Sequence, residues 1–403
     1  MHNAHSKNTV RYYLVVLIFL AFLFFSNNFG LIDVQKTAIV MAMGIDREDD
    51  VFIVTSQIAI PQASKQGKQT QAVQLVSRGK TVAEALDEIN AKTGWYPKLV
   101  FCDLILLGEN TAKQNVFDTL DFFLFDEYLS DDCQVAVCGG LAKDVLNTTA
   151  LVDPSTSTAL SKILSPHAER VGSAMPSSLR DFAIGYFSES KSGFLPIVKT
   201  EAQQEKVGKK NTDSSSSEQN GQDGQDGKSE QKNDKPVFSA RETALFVDGK
   251  WVETLSGTES FATSTVLNAL KLADYSVETD DAYCTLSIKN NAQKTWLTVG
   301  ENGDATLKIE LTLSAGMVDY SQALPLDELA DAGDVPSGAF FFAEKKLTAE
   351  IKTAFEKAKA VNCDLFGVRD RLVKYGKRKH RAYKDVILSQ TTADVSVRFR
   401  GVR

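Results

Sequence analysis

The sequence predicts a mixed α/β protein of the α+β kind, with an N-terminal membrane anchor followed by three small domains, each a sheet with helices packed on it. Three observations predict it. Short β-branched apolar runs alternate with segments of helical period through residues 34–150. A polar tract flanked by strand signals interrupts residues 151–262, and residues 263–403 place strands around a long amphipathic helix. At 403 residues the chain exceeds one ordinary core, and roughly two or three domains are expected. A composition of 43% hydrophobic and 24% charged residues is that of a globular protein, and a net charge of −7 speaks against general nucleic-acid binding.

Residues 1–33 read as a cytoplasmic tail and a signal-anchor helix. Lys7 and Arg11 stand without an acid before the unbroken apolar run Leu14–Phe25, which includes Phe19 and Phe22. With Tyr12, Tyr13 and the weakly polar stretch to Ile32, the run approaches the roughly 20 residues that a bilayer needs. A cleaved signal peptide would need small residues at an A-x-A-like site, and the stretch after Phe25 offers no good one. The positive flank supports an uncleaved anchor, which places the rest of the chain outside the cytoplasm.

In the first domain, 34–150, Ala38–Ile45 and Val51–Ile60 form a hairpin around the charged turn Asp46–Asp50. Thr81–Lys92 is a helix behind a capping threonine, Leu99–Leu107 a buried strand, and Asn115–Phe125 an amphipathic helix. Cys133–Cys138 and Leu141–Leu146 complete a β-β-α-β-α-β order. In the second domain, 151–262, Pro154–Pro166 is Ser/Thr-rich and Ser178–Tyr186 looks helical. Phe194–Val198 is at most an edge strand, because Pro196 cannot donate to a ladder. The insert at 201–236 is polar, without aromatics, and is expected to be disordered. Asp248-Gly249 between Ala244–Val247 and Trp251–Leu255 signals a hairpin, so the insert interrupts a domain and the strands on its two sides share a sheet.

In the third domain, 263–403, Cys284–Ile288, Thr295–Val299 and Thr306–Leu313 are strands. A helix over Phe340–Val361 carries Leu347, Ile351, Phe355 and Ala358 on one face, and a second helical stretch runs from Val368 to about Arg381. Ala393–Arg400 alternates as a half-buried strand, and the long helix is expected to lie across an antiparallel sheet.

The search for chemistry returns little. The four histidines are scattered, with His2 and His5 in the tail and His167 and His380 alone, which reads as surface placement and suggests no metal cluster and no triad. The five cysteines are spread through the chain, and Cys133 and Cys138 lack the partners of a zinc site; all are read as buried thiols rather than a disulfide framework. Gly221–Ser229 misses phosphate-loop spacing, and Ser188–Lys191 matches S-x-x-K without companion motifs. The acid pairs Asp49-Asp50, Asp131-Asp132 and Asp280-Asp281 fall in turns. The chain is therefore expected to have no catalytic residues, no metal, no cofactor and no identifiable small-molecule ligand, and to bind or scaffold rather than catalyse. One charge feature stands out: Arg369, Arg371, Lys374, Lys377, Arg378, Lys379, Arg381 and Lys384 against the single acid Asp370, a local +7. It reads either as a solvated helix face or as a contact for anionic headgroups or an acidic partner.

In order, AIVMAMGID (Ala38–Asp46), GKTVAEALDEI (Gly79–Ile89), LVFCDLILLGE (Leu99–Glu109), LDFFLFDEYLSDDCQVAV (Leu120–Val137), FLPIV (Phe194–Val198), ALFVDGKWVETLSGTES (Ala244–Ser260) and CDLFG (Cys363–Gly367) resemble the Ger(x)C-like family, the C subunits of spore-germination nutrient receptors. The resemblance implies three mixed α/β domains, no catalytic residues, a place at the inner membrane of the spore, and two membrane-embedded partner subunits. A sporulation-stage scaffold or ligand-binding protein on the same fold is the alternative, and a cell-wall or peptide hydrolase a third. Family members are usually lipoproteins with a Cys after the apolar run. Here that stretch is Asn28-Phe29-Gly30-Leu31-Ile32-Asp33, and the first cysteine is Cys102. The apolar segment is therefore expected to be kept as a transmembrane helix.

Overall fold

The computed structural model describes residues 13–19, 37–60, 71–150, 153, 155–165, 174–201, 236–279, 282–301, 303–321 and 337–401. After a helical stretch at 13–19, the expected hairpin forms from β1 (Thr37–Glu48) and β2 (Val51–Ile60). β1 runs further than expected, so Asp46 is inside the strand rather than in the turn, and Asp49 takes the left-handed conformation that closes the hairpin. β3 (Gln71–Gly79) adds a third strand. α1 (Val82–Thr93) starts at Thr81, whose hydroxyl accepts from the Glu84 N–H, and buries Val82, Ala85, Leu86 and Ile89.

β4 (Tyr96–Lys98) lies parallel to the first residues of β1. The strand expected over Leu99–Leu107 shortens to β5 (Leu104–Leu107), because Leu99–Cys102 closes a turn with the Cys102 N–H on the Leu99 carbonyl. α2 (Glu109–Lys113), α3 (Phe117–Phe125), β6 (Gln134–Cys138) and α4 (Ala142–Asn147) follow. The Ser/Thr-rich stretch folds as α5 (Thr156–Leu164), capped by Ser155, and α6 (Leu179–Phe187) begins at a capping box between Ser178 and Asp181.

β7 (Ser192–Glu201) corrects the edge-strand expectation. It lies between β6 and β8 (Val237–Val247) inside the sheet. Pro196 is tolerated because the ladder to β6 covers only Ile197 and Val198, just past it. β8 turns at Asp248 (φ 54°) and Gly249 (φ 75°) into β9 (Lys250–Leu255), the left-handed pair that an Asp-Gly hairpin requires. The strands flanking the insert do pair, antiparallel, with Glu201 opposite Val237; the insert itself, 202–235, lies outside the described residues.

β1 to β9 form one nine-stranded sheet in the order β3-β2-β1-β5-β6-β7-β8-β9, with β4 beside β1. The expectation of three sheets is thus corrected to two among the described residues: strands on both sides of position 150 share this sheet. At its centre β5 and Val135–Cys138 of β6 are apolar at every residue because both faces are covered there. Ile105, Leu107, Val135 and Val137 pack under α1, α3 and α6, while Leu104, Leu106, Ala136 and Cys138 pack under α4 and α5.

α7 (Gly257–Val266) runs across the expected division at 262/263 and leads to the second sheet, ordered β10-β11-β12-β13. These are β10 (Ala273–Glu278), β11 (Tyr283–Val299), β12 (Ala305–Tyr320) and β13 (Thr391–Gly401). Cys284–Ile288 and Thr295–Val299 are one strand, not two; an irregularity at Asn290/Ala292 breaks the alternation that suggested separate elements. The sheet is mixed rather than antiparallel, since β13 runs parallel to β12. α8 (Ser337–Ala360) crosses over between them, burying Leu347, Ile351, Phe355 and Ala358 against Ile309, Leu311, Val395 and Val397. The second helical stretch stops sooner than expected, as α9 (Val368–Tyr375); a 3₁₀ segment (Arg378–Tyr383) and α10 (Ile387–Gln390) precede β13.

One buried side chain organises the first sheet. Asp46 is 3% exposed, and its carboxylate accepts the Ala142 N–H at 2.8 Å and the Lys143 N–H at 2.9 Å, capping α4. Burial pushes its pKa up, and the two N–H bonds pull it down. Gly108, at the end of β5, leaves room for this carboxylate: a Cβ there would collide with Asp46 Oδ1. Replacing Asp46 by Ala is expected to cost about 2 kcal/mol, since two buried N–H groups lose their acceptor. Asp46→Asn, which keeps one acceptor and carries no charge to desolvate, is expected to cost roughly half as much. Urea unfolding followed by far-UV circular dichroism measures both.

Candidate functional site

The two sheets meet at the CDLFG loop. Cys363 Sγ lies 3.7 Å from the Phe246 carbonyl of β8, and the Asp364 N–H donates to Ser192 Oγ of β7 at 2.9 Å. The Asp364 carboxylate accepts the N–H groups of Val368 (2.6 Å) and Arg369 (2.7 Å), capping α9, and Gly367 takes the left-handed conformation at the N-cap. Burial raises the Asp364 pKa against these two bonds and pushes the neighbouring Cys363 thiol up to about 12. Phe366 tilts against Phe355 of α8.

Elsewhere along the boundary the sheets stand apart, leaving a cleft of about 800 Å³. Lys199 of β7, Arg241 of β8, the first turn of α7, Asp274 and Tyr275 of β10 and Lys346 of α8 line it. Lys199 pairs with Glu242 at 2.6 Å, and Lys346 donates to the Ser276 carbonyl at 2.8 Å while lying 5.0 Å over the Tyr275 ring. Tyr275 stacks on Phe261 and donates its hydroxyl to Glu350 Oε2 at 3.0 Å. Burial raises the pKa of both partners. This arrangement of an ion pair, a hydroxyl–carboxyl bond and a stacked ring is suited to recognising a polar surface.

The cysteines are all buried and unbonded. Cys102 and Cys133 lie in thiol–thiol contact, and burial raises the pKa of Cys138 and Cys284. Among the described residues no group of three or more His, Cys, Asp or Glu could hold a metal ion. His380 corrects the expectation of a surface histidine: it is 8% exposed. His2, His5 and His167 lie outside the described residues.

The eight basic residues do not form one patch. Arg369 is buried, with its guanidinium on Asn362, and Arg371 Nε is buried without a hydrogen-bond partner among the described residues. Lys384 pairs with Glu189 at 3.3 Å. Lys374, Lys377, Arg378 and Arg381 remain exposed, without ion pairs among the described residues; the side chain of Lys379 lies outside them. A uniform +7 face is thus reduced to a smaller exposed group, because a run of charge in sequence says nothing about which members turn inward.

Of the expected anchor, Leu14 and Phe19 lie in the helical stretch 13–19, 55% and 61% exposed, whereas Phe22 and Phe25 lie outside the described residues. No helix among the described residues is long and apolar enough to cross a membrane. Ser192, which ties β7 to Asp364 across the boundary, and the Tyr275–Glu350 pair beside the cleft escaped the sequence reading; only the capping pattern of an acid a few residues before a helix could have flagged Asp364.

A raised carboxyl pKa means that the folded state holds its proton more tightly than the unfolded chain. Stability from Glu350 is therefore present at low pH and is lost as pH rises through its folded pKa. Glu350→Gln keeps an acceptor for Tyr275 without the charge. Thermal melts between pH 4 and 8 are expected to show the wild type losing stability, relative to this variant, toward the neutral end.

The architecture has counterparts. The model of the spore germination protein N-terminal domain matches residues 31–200, and that of the spore germination B3/GerAC-like C-terminal domain matches residues 241–400. The crystal structure of the GerBC protein is similar, with a TM-score of 0.51 at 18% identity, covering 89% of this chain and 96% of that one, a likeness of fold. No curated protein matches the chain. Two domain models that match residues 31–200 and 241–400, in order and together well over half of the chain, show that it belongs to the Ger(x)C-like family of spore germination receptor subunits.

Proposed function

We propose that this chain is the non-enzymatic, membrane-anchored, extracytoplasmic subunit of a nutrient germinant receptor at the inner membrane of the spore. It acts by contact with two membrane-embedded sister subunits. The match to both germination domains, in order and across both sheets, carries this reading. The apolar run Leu14–Phe25 behind Lys7 and Arg11 supports an anchor, and the stretch after it, Asn28–Asp33, holds no cysteine to carry a lipid. The chemistry of the cleft, an ion pair, a hydroxyl–carboxyl bond and a stacked ring, supports a binding role over a catalytic one.

Two measurements test it. Deleting the gene is expected to abolish germination with at least one nutrient while leaving non-nutrient germination intact; unchanged germination with every nutrient tried would overturn the reading. An affinity-tagged full chain is expected to stay in the membrane pellet after an alkaline wash and to co-purify with multi-span proteins. Removal of residues 14–25 is expected to release it.

A further inference from the structure

The parallel strands of the first sheet share a direction. β4, β5 and β6 run with β1 or its neighbours, and β7 runs with β6, so the starts of β1, β4, β5, β6 and β7 lie at one end of the sheet. At that end Tyr96 is opposite Thr37, the first residue of β1. Trp95, Tyr96 and Phe101 are 41%, 45% and 58% exposed, and Phe101 shares a groove with Ile39 and Met41 of β1. Three large aromatics keep about half of their surface exposed at one strand end, and exposed apolar surface of that kind marks a contact surface.

The second sheet contributes to the same end. β7 starts there at Ser192, which holds the Asp364 N–H, and Glu189, just before it, holds Lys384. These two ties bring the α9–3₁₀ segment, with the exposed Lys374, Lys377, Arg378 and Arg381, alongside the start of β7.

Chain length says what faces this end. Five residue steps separate Ile32, the last apolar residue of the N-terminal stretch, from Thr37, and five steps span at most about 18 Å. If the apolar stretch spans the bilayer, the start of β1 stands within that distance of the headgroups. Tryptophan and tyrosine favour that interface, and lysine and arginine are drawn to anionic headgroups within about a Debye length of 10 Å.

We propose that this end of the first sheet rests on an anionic phospholipid surface. Trp95, Tyr96 and Phe101 enter the interface, the exposed bases of the α9–3₁₀ segment meet lipid phosphates, and both sheets stand end-on above the bilayer. The proposal rests on the anchored reading of Leu14–Phe25. It turns an anchor, which only limits distance, into a fixed orientation.

The test uses the full chain reconstituted in phosphatidylglycerol vesicles containing lipids brominated near the headgroup. Trp95 is one of three tryptophans, so quenching by these lipids is expected to remove up to about a third of the emission, and Trp95→Phe, an exposed change, is expected to abolish that component. The combined variant Lys374→Glu, Lys377→Glu, Arg378→Glu and Arg381→Glu is expected to lower the quenching at least about twofold, as is replacing phosphatidylglycerol by phosphatidylcholine. Vesicle-bound protein with equal quenching in wild type and Trp95→Phe overturns the orientation while leaving the anchor standing. Protein that fails to float with the vesicles overturns the anchor, and the orientation with it. Quenching unchanged by charge reversal and by lipid charge overturns the role of the basic segment toward lipid and assigns it to an acidic protein surface.

Discussion

A carboxylate taken out of water survives only where hydrogen bonds replace its lost solvation, and two such carboxylates hold this molecule together. Asp46 sits near the end of β1 and caps α4, which lies over the opposite face from α1 and α3. Around it the Gly108 N–H donates to the Ile45 carbonyl, Thr111 Oγ1 donates to the same carbonyl, and the Glu109 N–H donates to the Gly140 carbonyl. The ends of β1, β5 and β6 are thereby fastened at one point, together with the starts of α2 and α4. Asp364 repeats the device at the boundary between the sheets, where its main chain binds β7 and its side chain starts α9. Each cap couples a local event, the start of a helix, to a contact far away in sequence.

The two sheets illustrate how burial decides what a sequence discloses. β1, β2 and β6 were legible because two covered faces favour apolar, β-branched runs, which VFIVTSQIAI and CQVAVC carry despite the buried polar Thr55, Ser56 and Gln57 of β2. β3 was not. QAVQLVSRG belongs to an edge strand, keeps only Ser77 and Gly79 buried among its described side chains, and mixes polar with apolar residues as an edge can. Pro196 misled for a related reason: a proline excludes only its own donor, and a ladder that starts one residue later does not use it. The one-sided second sheet showed its alternation clearly in β12 and β13, yet the irregularity in β11 divided one strand into two apparent ones.

Side-chain placement within the site was less legible than the elements that carry it. The basic run was visible as composition, but helical phase and the demands of Asp364 turn Arg369 inward, and Lys384 is taken by Glu189, nearly two hundred positions away. Tyr275 and Glu350 meet across 75 positions, a pairing that no local pattern encodes. CDLFG was recognisable as a family segment, while its physical reason needed the partner surface: Cys363 and Asp364 are buried because β7 and β8 cover them.

The same topology that gathers the aromatics and exposed bases at one end sends the polar insert to the other. β7 runs from Ser192 to Glu201, so the chain leaves for 202–235 at the far end of the strand and returns at Val237 directly opposite. That exit lies at the cleft, since Glu201 and Ser239 both line it. Closing a loop between two adjacent residues costs only about 0.6 kcal/mol for each doubling of its length, so a long insert is tolerated there while the β7–β8 register stays set by the hairpin ladder. The two residues that flank the insert, Glu201 and Val237, are at the end of the sheet opposite Thr37 and Tyr96. The fold thus gathers the starts of its parallel strands at one end of the first sheet, while the strands that flank the insert meet at the opposite end, beside the cleft between the sheets.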